Sequence, residues 1–209
     1  MRFPELTRTE RTLFMRLDTP SKVQDFLNAI PINREPDGDT CLSPRRVLRE
    51  RRAHCIEGAM LAAAIFRFHG ERPLILDLEA AIWDDDHVIA LFRRHGCWGA
   101  VSKTNHFSLR YREPVYRTIR ELVMSYFHEY TPLKSDRKSL RSYSGAIDLS
   151  RFDRRGWLTD EQDVWYVPEY LIQAKHFPIM NRGQISSLRR CDPIEVRAAE
   201  LLEWPERRA

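Results

Sequence analysis

The chain of 209 residues contains only four cysteines, and no two of them are closely spaced. They stand at positions 41, 55, 97 and 191. A zinc knuckle needs paired ligands of the CxxC type, and a secreted disulfide scaffold is usually a shorter chain with more cysteine. We therefore expect neither a structural metal site nor a disulfide framework.

Long apolar runs are absent as well. No stretch approaches the roughly 20 apolar residues that span a bilayer. The first twenty residues, MRFPELTRTERTLFMRLDTP, have no apolar signal core and no small-residue cleavage site. The sequence therefore predicts a cytoplasmic protein without a membrane partner.

The apolar content of 43% is enough for one sizeable core. No internal repeat or low-complexity tract divides the chain. We expect a single domain over residues 1–209, with its core over 43–130 and a C-terminal extension over 131–209 that wraps the core.

Charge of one sign is not concentrated in any region. The 34 Lys and Arg and the 30 Asp and Glu leave a net charge of only +4, and the two signs are interleaved. Nucleic-acid binders usually gather basic residues on one face or tail. We interpret most arginines as solvated surface and do not expect nucleic-acid binding, although the arginines of 45–52 are where it would occur.

Two helices are predicted ahead of a sheet. SPRRVLRERR (43–52) begins with a serine cap and a proline in the first turn, which is a strong helix start. Residues 55–69 form a second helix, and Gly70 is a suitable stop after it. PLILDLEA (73–80) is apolar and β-prone, which predicts a buried strand.

An antiparallel hairpin is predicted next. DDDHVIALF (84–92) and CWGAVSK (97–103) have strand composition and are joined by a tight turn. The remaining patterns are those of individual helices and one further strand. Helices are predicted over 19–31, 114–130 and 192–204, and a strand over 142–152.

Cys55 stands at the start of the second predicted helix, a position that lowers the pKa of a thiol. The thiolate is the nucleophile, and a helix N-terminus favours it through unpaired N–H groups and the positive end of the dipole. The same N–H groups are suited to stabilising an oxyanion. The alternative is that Cys55 is a small buried residue without chemistry, as most free cysteines are.

A nucleophilic thiol also needs a base and a group that orients the base. His87, at the start of a strand, supplies an imidazole. The residues SKTN (102–105) end the next strand, which places them beside the start of the His87 strand in an antiparallel pair. The alternative for His87 is an exposed side chain that pairs with Asp84–Asp86. For His54 we expect a capping or surface role. Without further ligands at defined spacing, the three aspartates predict no metal site.

Residues 43–105 resemble the transglutaminase-like core of the papain-like cysteine-enzyme superfamily. SPRRVLRERRAHCIEGAMLAAAIFRFHG is similar to the helix and Cys-capped helix of that family, and DDDHVIALFRRHGCWGAVSK to its His-strand, turn and Trp-strand. The resemblance implies an α+β fold in which the Cys helix packs on an antiparallel sheet. It also implies a Cys–His–Asp triad, acyl transfer on amide bonds of a protein or peptide substrate, and no cofactor.

The sequence departs from the family at the third triad member. The family usually has an aspartate about four residues after the strand tryptophan, and here that residue is Ser102. Asn105 could orient the imidazole through its amide oxygen, so we favour Asn105 and keep Ser102 as the alternative.

Two functions remain open at this point. One is a transglutaminase-like cysteine enzyme, most simply a peptide or isopeptide hydrolase; an amine acceptor in place of water would make it a cross-linking enzyme. The other is a catalytically decayed fold that acts as a protein-binding module, which the missing aspartate at 102 suggests.

Overall fold

The protein has an α+β fold, which confirms the class expected from the sequence. The structure is a computed structural model, and it describes residues 3, 5–36, 38–131 and 135–205. The helices are α1 Arg8–Arg16, α2 Pro20–Asn28, α3 Pro44–Glu50, α4 Cys55–Phe68, α5 Ile119–Phe127, α6 Tyr166–Gln173, α7 Arg182–Ser186 and α8 Pro193–Ala199, with a 3₁₀ helix over Leu149–Arg155. The strands are β1 Leu74–Ala80, β2 His87–Arg94, β3 Cys97–Ser102, β4 Arg112–Tyr116, β5 Leu140–Ser144, β6 Ile147–Asp148 and β7 His176–Pro178. No helix within the described ranges is both long and apolar enough to cross a membrane.

The strands form one seven-stranded antiparallel sheet. Its order is β4-β3-β2-β1-β5-β7, and the short β6 pairs with β1 as well. β2 and β3 form the predicted hairpin, in which Ile89 lies opposite Ser102. The two-residue turn between them is His95–Gly96, and both residues have positive φ, as in a type I′ hairpin turn. This register brings the start of β2 and the end of β3 to the same end of the sheet.

Both faces of the sheet are covered, which explains the unbroken apolar run of β2. Val88, Ala90 and Phe92 belong to the core cluster that also contains α4. Ile89 and Leu91 belong to a second cluster with residues of α5. Helix α4 is buried from its second residue to its twelfth, and Glu57 is the one charged residue in that stretch; Cys55 at its start and Arg67 and Phe68 at its end are partly exposed.

The predicted helix over 114–130 begins later than expected. Pro114 lies in β4, an edge strand, where its missing N–H removes no necessary ladder bond. Helix α5 begins instead after Thr118, whose side chain accepts from the backbone of Glu121 while the Glu121 carboxylate accepts from the backbone of Thr118. This capping box fixes the boundary, because it satisfies two orphan donors at once.

The C-terminal region supplies strands to the sheet and residues to the core. The strand predicted over 142–152 is shorter: β5 ends at Ser144, and after β6 the chain turns into the 3₁₀ helix. Strands β5, β6 and β7 all join the sheet. Buried residues of this region belong to the same core cluster as α4, among them Leu149, Phe152, Trp157 and Val164.

The close approach of α4 to the end of β3 depends on Gly58. A Cβ built at Gly58 would collide with the Cβ of Lys103 and lie 3.0 Å from its Cγ. Glycine therefore allows a backbone approach that a larger residue would prevent. This contact holds the first turn of α4, which carries Cys55, next to the end of β3, which carries Ser102.

We expect Gly58→Ala to lower the free energy of unfolding by about 1–3 kcal/mol, because the added methyl group overpacks this contact. Alanine otherwise stabilises a helix relative to glycine by about 1 kcal/mol, so the sign of the change is diagnostic. Urea unfolding followed by circular dichroism measures it. The control is Gly183→Ala at an exposed position in α7, which should be neutral or stabilising. A stabilised Gly58→Ala protein would contradict the close contact.

Candidate active site

A cleft of about 380 Å³ lies at the N-terminal end of α4. Cys55 and His87 both line it, together with His54, Asn105 and Glu129. The cleft forms where the first turn of α4 lies next to the end of the sheet at which β2 begins and β3 ends. The structure thus brings the predicted thiol and the predicted imidazole to one opening.

Cys55 is partly exposed as a residue and lines this cleft. Burial raises its pKa, but hydrogen bonds from His54 and His87 and the charges of both rings lower it further, so the pKa lies well below the usual thiol range. Cys41, by contrast, is fully buried, and burial raises its pKa far above the usual range. Cys55 therefore has the environment of a reactive thiolate, and Cys41 that of an inert core residue.

The imidazole of His87 is held by Ser102. Its Nε2 lies 2.7 Å from the Ser102 Oγ, and both side chains are buried. The hydroxyl of Ser102 donates its single hydrogen to the backbone carbonyl of Leu109. The Ser102 oxygen must then accept from His87, so Nε2 carries the proton and Nδ1 is the nitrogen left for the thiol.

Asn105, the favoured orienting residue, lies in the cleft wall but does not contact His87. Its amide oxygen accepts from the backbone N–H of Trp204 at 2.8 Å, and its amide nitrogen donates to the carbonyl of Trp204 at 3.2 Å. Its role is to fasten the C-terminal segment. The preference for Asn105 over Ser102 is corrected here, because β3 ends at Ser102 and the three further residues carry Asn105 away from the ring.

The backbone of Ser102 is clamped from the opposite side by helix α2. The Gln24 amide accepts from the Ser102 N–H at 2.9 Å and donates to the Ser102 carbonyl at 2.8 Å. The ammonium group of the next residue, Lys103, donates hydrogen bonds to the carbonyl of Leu27 in the last turn of α2 and to that of Ile30 just after the helix. The partner of His87 is therefore fixed by its backbone as well as by its side chain.

His54 is the N-cap residue of α4, which confirms the capping role expected from the sequence, and it also places a second imidazole beside the thiol. Its Nε2 lies 3.0 Å from the carbonyl oxygen of Thr40 and 3.3 Å from Oε1 of Glu57. Burial lowers the pKa of His54, but the contact with Cys55, the Glu57 charge and the Thr40 carbonyl raise it to about 9. His54 is thus a cation at neutral pH that faces the sulfur.

The counter-charge for His54 comes from Glu57, which is completely buried one turn into α4. Its carboxylate accepts from the backbone N–H of Leu42 at 2.8 Å and of His54 at 2.9 Å. The side chains of Asn33 and Thr40 also donate to it. Because every one of these partners donates, the group is built as an anion. The HCIE pattern of residues 54–57 is the sequence signal that could have indicated this pair.

The acidic residues Asp84–Asp86 form part of the cleft rim. Asp84 accepts from the hydroxyl of Ser139, and Asp86 accepts from the backbone N–H of Ala80. Within the part of the chain that the structure describes, no group of His, Cys, Asp and Glu has the arrangement of a metal site. The rim is therefore negatively charged, and its carboxylates are directed mainly to neighbouring polar groups.

No protein-family model matches this chain, and no curated protein matches it. The likeness of residues 43–105 to the transglutaminase-like core therefore stays a hypothesis that depends on the quoted segments.

The pH dependence of alkylation tests the environment of Cys55. With iodoacetamide, the rate at Cys55 should reach half its maximum well below about pH 8.5, the usual thiol value. In His54→Gln the midpoint should move upward, because one hydrogen bond and one positive charge are lost while the burial that raises the thiol pKa remains. Peptide mass spectrometry assigns the label to each cysteine.

The control for this titration is Cys97→Ala, which removes another partly exposed thiol and should leave the Cys55 midpoint unchanged. A wild-type midpoint at the usual thiol value would contradict the assigned environment. So would a His54→Gln midpoint equal to that of the wild type.

Proposed function

We propose that this chain is a cysteine acyl-transfer enzyme that acts on amide bonds, with a transglutaminase-like form of the papain-like core. Cys55 is its nucleophile, His87 its base and Ser102 the residue that orients the base. The observation that carries the proposal is the cleft-facing thiol of Cys55 at a helix N-terminus, with a depressed pKa and an imidazole whose other nitrogen is anchored. An inert core cysteine would have neither the opening nor the anchored partner.

In the first half of the reaction, the thiol proton of Cys55 passes to Nδ1 of His87, and the sulfur attacks the carbonyl carbon of the amide. A C–S bond forms, and the π electrons of the carbonyl move to its oxygen. The N–H groups in the first turn of α4 have no acceptor within the helix and are suited to stabilise this oxyanion. When the C–N bond breaks, the leaving amine takes a proton from the imidazolium of His87, and a thioester remains on Cys55.

In the second half, an acceptor attacks the thioester. His87, now neutral, removes a proton from the acceptor, the C–S bond breaks, and the thiolate of Cys55 is restored. Water as acceptor gives hydrolysis, and an amine gives transfer. A protein or peptide substrate is proposed because the cleft is open, and a cytoplasmic setting because all four cysteines are free thiols.

The alternative function is a decayed fold that binds a protein partner. It is favoured by one observation: among the described residues, no carboxylate hydrogen-bonds the imidazole of His87, whose partner is the neutral Ser102. This alternative predicts a cleft that binds but leaves Cys55 without acyl chemistry. The two functions therefore differ in whether an acyl-enzyme forms and turns over.

Acylation by p-nitrophenyl acetate tests the proposed enzyme. The activated ester should acetylate Cys55, because p-nitrophenolate leaves without a proton donor. His87→Ala should still form the acetyl-enzyme, since His54 remains beside the sulfur, but should release acetate about 10²–10⁴-fold more slowly for want of a base. Intact-mass spectrometry over time, with peptide mapping, follows both steps.

The control is Cys97→Ala, which should acetylate and deacetylate as the wild type does. Acetylation that is no faster at Cys55 than at Cys97 would contradict the assignment of Cys55 as the nucleophile. An acetyl-enzyme that is hydrolysed equally fast in His87→Ala would contradict the assignment of His87 as the base.

A further inference from the structure

We propose that Glu129 is a positioning residue that fixes the tautomer of His87 through the backbone of Leu109 and the hydroxyl of Ser102. The catalytic consequence of this arrangement rests on the function proposed above, whereas the arrangement itself can be tested without any substrate. The chain of contacts runs from a carboxylate, through one peptide unit, to the base.

A serine beside a neutral imidazole does not by itself determine where the ring proton lies. A hydroxyl is both donor and acceptor, so it can donate to Nε2 or accept from it. Ser102 is limited to accepting, because its only hydrogen is directed at the carbonyl of Leu109. The Leu109 carbonyl therefore decides that His87 carries its proton on Nε2.

That carbonyl is aimed by an unusual backbone conformation. Leu109 has φ of 57°, in the left-handed region that a leucine rarely adopts. Its N–H donates to Oε2 of Glu129 at 2.9 Å, and its carbonyl accepts from Ser102. The two bonds tie both polar groups of this residue, which is how a strained conformation persists at a functional site.

Glu129 is itself held in place by the strand and helix around it. Its Oε2 lies 2.7 Å from a guanidinium nitrogen of Arg112 in β4. Arg112 also donates to the hydroxyl of Ser125 at 2.9 Å, and its guanidinium group lies 4.0 Å from the centre of the Tyr126 ring. The carboxylate that grips Leu109 is thus anchored to the rigid part of the fold.

Without Glu129, the Leu109 peptide is free to leave its left-handed conformation. Ser102 can then donate to Nε2 of His87, and the ring proton moves to Nδ1, the nitrogen needed by the thiol. A ring in that tautomer cannot accept the thiol proton. We therefore expect loss of the base function even though every catalytic side chain is present.

The test is the tautomer of His87 in full-length Cys55→Ala protein, in which no thiolate holds the ring protonated. Long-range ¹H–¹⁵N correlation spectra at pH 8 distinguish Nε2–H from Nδ1–H, and comparison with a His87→Gln spectrum assigns the signals. We expect the Nε2–H form with Glu129 present and a mixture of both forms in Glu129→Ala. Glu129→Gln should restore the Nε2–H form, because the glutamine oxygen still accepts from Leu109.

The matched control is Glu203→Ala. It removes a carboxylate that pairs with Arg110, the neighbour of Leu109, but that does not touch the Leu109 N–H. Its spectrum should stay in the Nε2–H form. If Glu129→Ala fails to fold, Ser102→Ala provides the second variant: with the acceptor gone, its His87 signal must lose the pure Nε2–H form.

A pure Nε2–H signal in folded Glu129→Ala, or in Ser102→Ala, overturns the proposal. In the protein with its thiol intact, Glu129→Ala should slow release of acetate from Cys55 at least about tenfold, with rescue by Glu129→Gln. If the tautomer responds as expected but wild-type Cys55 forms no acyl-enzyme, the proposed function fails and the positioning role stands. If the acyl-enzyme turns over normally and the tautomer does not respond, the reverse holds.

Discussion

The constraint on which the rest of the site depends is the position of one thiol at the first residue of a buried helix, in a cleft that it shares with two imidazoles. Helix α4 is apolar over most of its surface, apart from the buried Glu57, and the sheet and the surrounding helices enclose it. Its first turn lies at the end of the sheet where the cleft forms. Cys55 is therefore the residue of α4 that both lines the cleft and lies at the positive end of the helix dipole. Burial alone would favour the neutral thiol, and the two rings reverse that preference.

The two imidazoles are anchored to different partners, which gives them different roles. Burial lowers the pKa of His54, but the contact with Cys55 and then the buried carboxylate of Glu57 raise it to about 9, so its positive charge persists at neutral pH. His87 faces the neutral hydroxyl of Ser102. In the proposed mechanism His54 therefore acts as a fixed charge that favours the thiolate, and His87 is the ring that can give and take a proton in each half of the reaction.

The sequence was sufficient for the parts of the site that local pattern determines. The small and apolar residues after Cys55 and the strands of the hairpin specify α4, β2 and β3, and these elements place the thiol and His87. The choice between Ser102 and Asn105 could not be made from the sequence, because it depends on where β3 ends and on a C-terminal segment that pairs with Asn105 from 99 positions away. Leu109 has no local signal at all, since its conformation is imposed by Glu129 and Ser102.

A neutral partner for His87 agrees with the presence of a second, cationic ring. A carboxylate on an imidazole favours the imidazolium. With His54 already positive, a second permanent cation would bind the thiolate more tightly and make it a weaker nucleophile, since nucleophilicity falls as the thiol pKa falls. It would also leave no neutral ring to accept the proton of the attacking acceptor. Serine at position 102 avoids both effects, but only if another group keeps the ring proton of His87 on Nε2. In the proposed arrangement, the carbonyl of Leu109 does so.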